Sequence, residues 1–151
     1  MSPITLEGYA DKLNEMIPHM MKEMFHRQTN ELYKGKITLP QFLAMSFLNK
    51  KGSSNMTELA HYMDITTAGM TGIISRLVAG RYARRVSDPK DRRVIIVKLT
   101  SRGVALTRKV NDERRQIIID VFGRISEKER EDYLNIISHV LESFVEQRSD
   151  K

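Results

Sequence analysis

The sequence contains no cysteine. Disulfide bonds, thiolate zinc sites, iron–sulfur clusters and thiol-based redox sensing are therefore excluded. No apolar run approaches the roughly 18 residues that a membrane helix needs, and the first segment, MSPITLEGYADKLNEM, is too mixed in charge for a signal or transit peptide. We therefore expect a cytoplasmic protein that makes no use of a membrane.

The motifs of common enzyme classes are absent as well. The sequence has no G-x-S-x-G, no glycine-rich phosphate loop, no H-E-x-x-H and no close carboxylate pair with a plausible pocket. His19 and His26 share one face of a predicted helix, but Pro18 disturbs the register between them and no third ligand is evident. We therefore expect no enzyme activity, no cofactor and no metal site.

The composition favours one domain with a polyanionic partner. A chain of 151 residues with 40% hydrophobic content can bury one good core but is too short for two independent domains. The 25 Lys and Arg residues outnumber the 19 Asp and Glu residues, and the formal charge of +6 favours nucleic acid or an anionic membrane surface. We predict a single domain over residues 1–151.

Helical periodicity and capping residues predict a mainly helical chain. Pro18 should kink or split the first helix because proline has no N–H to donate. Gly80 is expected to end the fourth helix. The predicted helices are 5–33, 39–50, 55–63, 66–79, 100–122 and a last one after Ser126, with Thr38, Asn55, Thr66, Thr100 and Ser126 as N-caps.

One β-hairpin interrupts the helices. Its strands, Tyr82–Val86 and Val94–Leu99, are rich in β-branched residues, and the loop VSDPKDR between them forms a charged tip. Residues 55–80 fit a helix-turn-helix, which is a weak signal alone because paired short helices occur in many folds. The hairpin strengthens it with concentrated positive charge, offset only by Asp88 and Asp91: Arg81, Arg84, Arg85, Lys90, Arg92 and Arg93.

The segment ARRVSDPKDRRVIIVKLTSRGVAL resembles the wing and following helix of the MarR family of winged-helix regulators. The family pattern Asp-x-Arg, followed by Leu-Thr-x-x-Gly, is matched by Asp91, Arg93, Leu99, Thr100 and Gly103. The resemblance extends back through TELAHYMDITTAGMTGIISRL and LPQFLAMSFL. It implies a mainly α (α+β) fold, with a winged helix-turn-helix and two-stranded wing over 37–100 and helical dimerisation regions over 1–36 and 101–151.

The same resemblance implies how DNA is bound. Asp91 would orient an arginine at the hairpin tip toward the minor groove, with Arg93 in the family position and Arg92 the close second. The alternative is that Asp91 and Arg93 only stabilise a turn. The candidate DNA-binding residues are Thr66, Thr67, Thr71, Ser75, Arg76, Arg84, Lys90, Asp91, Arg92 and Arg93.

Three positions depart from the family habit. Gly72 stands where a long polar residue is common, and Gly69 precedes it by one turn. The two glycines indicate either close approach of the helix backbone to DNA or a tolerated weak helix. Arg81 stands where the family usually has glycine, which leaves the cap geometry after the recognition helix open.

Two amphipathic segments, 5–33 and 101–147, exceed what a small winged-helix core can cover and indicate an interface. By resemblance, they interlock in a homodimer whose recognition helices lie about one DNA turn apart, on a palindromic operator. Family members commonly release DNA when a small, often phenolic or anionic, effector binds beside the dimer helices. The candidate pocket residues, for which ordinary packing is the alternative, are Met16, His19, Met20, His26, Phe42 and Met45.

The sequence thus predicts a transcriptional regulator, in the form of a repressor, that binds specific double-stranded DNA as a homodimer. The alternative is a basic helical interaction protein that binds RNA or acidic partners. The wing is the feature that discriminates between the two.

Overall fold

The computed structural model describes residues 4–27 and 36–149. The chain divides into two compact units, Met1–Arg114 and Arg115–Lys151, and the predicted single domain over 1–151 stays a prediction. The elements are α1 (Leu6–Arg27), α2 (Leu39–Lys51), β1 (Ser54–Asn55), α3 (Met56–Tyr62), α4 (Thr67–Ala79), β2 (Ala83–Ser87), β3 (Ile95–Leu99), α5 (Ser101–Phe122) and α6 (Glu127–Ser149).

The predicted helices are found with shifts of a few residues at their ends. α1 runs through Pro18 without a break, so the split considered from the sequence is absent, and residues 28–33 of that prediction lie outside the described part. At the start of α2, Gln41 N donates to Thr38 Oγ1 (3.4 Å) and Thr38 N donates to Gln41 Oε1 (2.8 Å), as a capping box requires. None of the described helices is long and apolar enough to cross a membrane.

The core of the first unit is built from one face of each winged-helix element. On α4 the buried residues are Met70, Ile74 and Leu77, whose spacing puts them on one side of the helix. Gly103 of α5 and Val97 of β3 close the core from the sheet side. The largest fully buried side chains are Phe42, Met45, Leu48, Leu59, Met70, Ile74, Leu77, Val97 and Val110.

The predicted two-stranded wing is found as β2 and β3, and β1, which the sequence did not predict, extends it to a three-stranded antiparallel sheet in the order β1-β3-β2. Ser54 of β1 and Arg85 of β2 both lie opposite Val97 of β3. β1 is only two residues long and leads directly into α3, with Asn55 serving as the N-cap. So short a strand carries no alternation of polar and apolar residues by which the sequence could reveal it.

α4 ends at Ala79 with Gly80 as its C-cap, as the sequence predicts, but Gly80 is not the left-handed residue of the cap. Gly80 has a helical φ of −75°, and the left-handed residue that ends the helix is Arg81, with φ 60°. Arg81 N donates to Val78 O (2.9 Å) and Tyr82 N donates to Leu77 O (2.8 Å), the two bonds of a Schellman cap. The cap geometry is therefore kept without glycine, at the cost that a left-handed backbone imposes on a side chain.

Thr100 and Gly103 join the wing to α5. Thr100 Oγ1 donates to Arg81 O (2.7 Å) and accepts from Gly103 N (3.1 Å), so one hydroxyl both caps α5 and holds the chain before β2. A Cβ at Gly103 would lie 2.0 Å from Tyr82 O, because the first turn of α5 packs on that backbone. These contacts give the Leu-Thr-x-x-Gly pattern a structural cause.

The second unit consists of the end of α5, a turn and α6. Glu129 accepts from Ser126 N (2.8 Å) and Ser126 Oγ (2.7 Å), and these hydrogen bonds lower the pKa of the Glu129 carboxyl. The rings of Phe122 and Tyr133 pack with their centroids 5.1 Å apart. Most of the apolar stripe of α6 remains exposed in the single chain, at Leu134, Ile136, Ile137, Val140, Leu141, Phe144 and Val145.

Candidate nucleic-acid interface

α3 and α4 form the helix pair that the sequence predicted. The turn between them depends on Asp64, which has a left-handed φ of 54°. Asp64 N donates to His61 O and Ile65 N to Ala60 O, both at 3.1 Å, so α3 ends in a Schellman cap of the kind that ends α4. Thr66 then caps α4, and the chain changes direction within a few residues.

The face of α4 opposite its buried residues is polar and exposed. Thr66 Oγ1 accepts from Gly69 N (3.1 Å), which leaves the hydroxyl proton of Thr66 free to be donated outward. Thr71 Oγ1 donates to Thr67 O (2.8 Å), so that hydroxyl has only acceptor capacity left. The candidate residues Thr66, Thr67, Thr71, Ser75 and Arg76 are all exposed.

Gly72 lies on the exposed side of α4, and a Cβ built there meets nothing within 4 Å. A Cβ at Gly69 would lie 3.3 Å from Thr66 Oγ1, close to the capping hydroxyl. Packing within the first unit therefore gives no reason for glycine at position 72. Its absence of a side chain leaves the helix backbone open to whatever lies against α4.

A side chain from the wing reaches α4 at Ser75. Arg85 Nη2 of β2 donates to Ser75 Oγ at 2.9 Å, so the hydroxyl accepts and its proton remains available. The sequence counted Arg85 in the basic cluster but did not assign it to the site. The alternation of side chains along a strand was the signal that could have separated Arg85 from Arg84.

Hydrogen bonds from carboxylates order the tip of the wing. Lys90 N donates to Asp88 Oδ1 (2.8 Å), and Arg93 N donates to Asp91 Oδ1 (3.0 Å). The Arg93 guanidinium also binds Asp91, with Nε at 3.1 Å from Oδ1 and Nη2 at 3.3 Å from Oδ2. Nη1 of Arg93 has no partner within the described residues, and the side chain is 91% exposed.

The hydrogen bonds from Arg93 favour the ionised form of the Asp91 carboxylate. The side-chain and backbone hydrogen bonds from Arg93 hold the pKa of Asp91 below its ordinary value. Asp91 is therefore ionised at neutral pH, and the pair weakens only as the pH falls through that lowered pKa. A guanidinium held side-on in this way keeps its outer edge directed away from the carboxylate.

The candidate DNA residues lie on α4, at the tip of the wing and, for Arg84, on β2. The α4 residues and the wing are linked through Ser75 and Arg85, and Asp91 is paired with Arg93 at the tip, where Lys90 and Arg92 are also exposed. Arg84 is the exception, because it alternates with Arg85 along β2 and lies on the opposite face of the sheet.

The candidate effector residues fall into two environments. Phe42 and Met45 are buried in the core of the first unit, with the Arg114 guanidinium 5.5 Å from the centroid of the Phe42 ring. The α1 residues Met16, His19, Met20 and His26 are exposed. A pocket formed by these six residues stays a prediction. Among the described residues, no group of three or more His, Asp or Glu side chains could hold a metal ion.

Residues 36–94, which include the helix pair and most of the wing, match the model of the MarR family. This match and the relatives that cover most of the chain support membership of the MarR family. The chain is 28% identical to the HTH-type transcriptional repressor NicR of Pseudomonas putida, over 94% of this chain and 92% of that protein. It is 27% identical to the regulator YsmB of Bacillus subtilis, over 82% of this chain and 84% of that one.

Solved structures share the fold of this chain. RV1404 from Mycobacterium tuberculosis is 22% identical, with a TM-score of 0.78 over 94% of this chain and 96% of that chain. A MepR-like protein complexed with pseudoligands is 29% identical, with a TM-score of 0.59 over 86% of this chain and 92% of that chain. The predicted family and fold class are confirmed, and the relatives support a DNA-binding regulator of transcription.

Proposed function

We propose that this MarR-family chain is a homodimeric repressor that binds a palindromic operator with α4 in the major groove and the wing tip in the minor groove. The observation that carries the proposal is the Asp91–Arg93 pair at the end of a basic hairpin. A basic protein that bound RNA or acidic partners by charge alone would have no need for an ordered arginine at this point.

Arg93 has the chemistry of a minor-groove contact. The groove concentrates negative potential where it is narrow and attracts an inserted arginine. Asp91 binds the Nε edge of the guanidinium and leaves Nη1 toward solvent, which reduces the side-chain entropy that binding would otherwise remove. Because the carboxylate is itself negative, we expect the DNA to be met by the tip of Arg93 and not by Asp91.

α4 supplies the proposed reading element. The exposed hydroxyls of Thr66 and Ser75 can donate, Thr71 can accept, and the threonine methyl groups suit the methyl of thymine. Hydroxyls bind phosphates as readily as bases, so part of this face positions the helix and part reads sequence. Arg76 is the exposed cation of the same helix.

Homodimerisation is proposed from the exposed apolar residues of the terminal helices. Leu6 of α1 is 79% exposed, and Leu134 and Val145 of α6 are 64% and 65% exposed. Stripes of this kind on two long helices mark an interface more than a monomer surface. A two-fold dimer would place half-sites about 10 bp apart between centres.

Release by a small effector is proposed on resemblance. The MepR-like relative was crystallised with pseudoligands, and members of the MarR family commonly respond to small phenolic or anionic molecules. A pocket that joins the α1 residues Met16, His19, Met20 and His26 to Phe42 and Met45 would need the dimer to complete it.

The proposed role of Arg93 is tested by its replacement with alanine. Arg93→Ala should weaken binding to a DNA duplex selected by the protein by more than about 1 kcal/mol, because a groove contact is lost. The melting temperature should not change, since Arg93 is exposed.

Lys128→Ala is the matched control for this experiment. Lys128 forms an exposed ion pair with Asp132 on α6 (2.9 Å), outside the winged helix. Its replacement removes the same charge and an ion pair of the same class, and DNA affinity should hardly change. Equal operator affinity of Arg93→Ala and wild type would contradict the assigned role.

A further inference from the structure

The wing has a second basic surface on the face of the sheet that points away from α4. Successive side chains of a strand point to opposite faces. Ala83, Arg85 and Val97 lie on the inner face, where Ala83 and Val97 are buried and Arg85 reaches Ser75 of α4. Arg84 and Lys98 therefore lie on the opposite face, which we call the outer wing face.

Arg84 and Lys98 are directly opposite one another in the β2–β3 register. Directly opposed side chains have Cβ atoms about 5 Å apart, and like charges there destabilise a sheet. Within the described residues neither cation has an acidic partner. An uncharged residue at either position would make the fold more stable. The pair is therefore suited to binding an anion from outside the protein.

We propose that the outer wing face binds the sugar-phosphate backbone of duplex DNA that flanks the operator. The inference rests on the proposed function, since it takes α4 and the wing tip to be on the operator. The face looks away from α4, so the backbone it can reach lies beyond the wing. Two opposed cations suit phosphates, whereas base reading would require groups that enter a groove.

The test compares two lengths of the same duplex. A palindromic sequence selected by the protein is used as a duplex of about 20 bp and again with about one helical turn of unrelated sequence added at each end. Wild type should bind the long duplex at least about tenfold tighter at low salt. The log–log salt dependence should steepen by about two for each wing, because each neutralised phosphate contributes about 0.9.

The decisive variant is Arg84→Gln with Lys98→Gln. It should bind the short duplex like wild type but should not bind the long duplex more tightly than the short one. Arg84→Lys with Lys98→Arg keeps the charge and should keep the gain, which guards against a folding defect. Lys22→Gln with Arg108→Gln removes two exposed cations elsewhere and should also keep the gain.

The outcomes separate this inference from the function on which it rests. A wild-type protein with no length dependence, or a Gln variant that retains it, would overturn the outer wing face as a DNA surface. Failure to select any sequence would overturn the proposed function instead. The inference is then still decided on a duplex of arbitrary sequence, of about 40 bp, where the Gln variant should lose the same part of the salt dependence. If the Gln variant lost affinity only for structured RNA or anionic vesicles, and not for duplex DNA, the surface would be assigned to another partner.

Discussion

At the scale of single residues, the signature of the wing divides into positions that hold the fold and positions that face outward. Thr100 and Gly103 fasten α5 to the backbone before β2, and a side chain at 103 has no space. Asp91 orders the tip and pairs with Arg93, which is almost fully exposed. Arg81 keeps a left-handed cap without glycine, a cost that stability alone does not explain.

Gly72 is predicted to weaken α4 in the free protein. Gly72→Ala should raise the free energy of unfolding by about 0.5–1 kcal/mol, because alanine loses less backbone entropy and its Cβ meets nothing within 4 Å. Chemical denaturation measures the change. Gly103→Ala is the opposing control and should lower stability, since its Cβ would lie 2.0 Å from Tyr82 O. A Gly72→Ala protein less stable than wild type would show that position 72 is packed.

At the scale of elements, the hydrogen bond from Arg85 to Ser75 joins the wing to α4. A wing that moved freely would lose orientational entropy on binding DNA, whereas one tied to the recognition helix presents both elements together. Under the proposed function, Arg85 is therefore a positioning residue, and its bond leaves the Ser75 hydroxyl able to donate to DNA.

This link predicts energetic coupling in DNA binding. Arg85→Ala and Ser75→Ala should each weaken operator binding, and the double variant should lose at least about 0.5 kcal/mol less than the sum of the two. Arg85→Lys keeps the charge but not the planar guanidinium, and serves as the control for charge alone. Losses that add within about 0.3 kcal/mol would mean that the two residues act independently.

The sequence predicted most elements because their caps and periodicities are local. Thr38, Asn55, Thr66 and Ser126 each accept the backbone N–H that their position requires. β1 could not be predicted in the same way, because its two residues form a strand only by pairing with β3 far along the chain. The sequence predicts the end of α4 at Gly80 but leaves the cap geometry open, and the two Schellman hydrogen bonds show that Arg81 is the left-handed residue.

The candidate site shows the same limit. Asp91 and Arg93 are two residues apart, so a local pattern was enough to pair them. Arg85 and Ser75 meet only because β2 packs beside α4, and Lys98 joins Arg84 only through the strand register. By charge alone, Arg84 belongs with the other cations of the hairpin. The alternation of side chains along β2 puts it on the opposite face of the sheet from Arg85.

At the scale of the whole molecule, the described chain carries polar and basic groups on α4 and the wing and exposed apolar residues on α1 and α6. The first set suits a polyanion, and the second suits another copy of the chain. A formal charge of +6 adds a long-range attraction to DNA that carries no sequence information. Specific recognition must therefore be measured apart from this general attraction.

The most direct measurement compares, at one fixed salt concentration, the affinity for a palindromic duplex selected by the protein with that for a scrambled duplex of equal length. We predict binding of two chains per duplex and an affinity for the selected sequence at least about 10³-fold higher than for the scrambled one. Equal affinity for the two duplexes, or for a structured RNA, would contradict the proposed function.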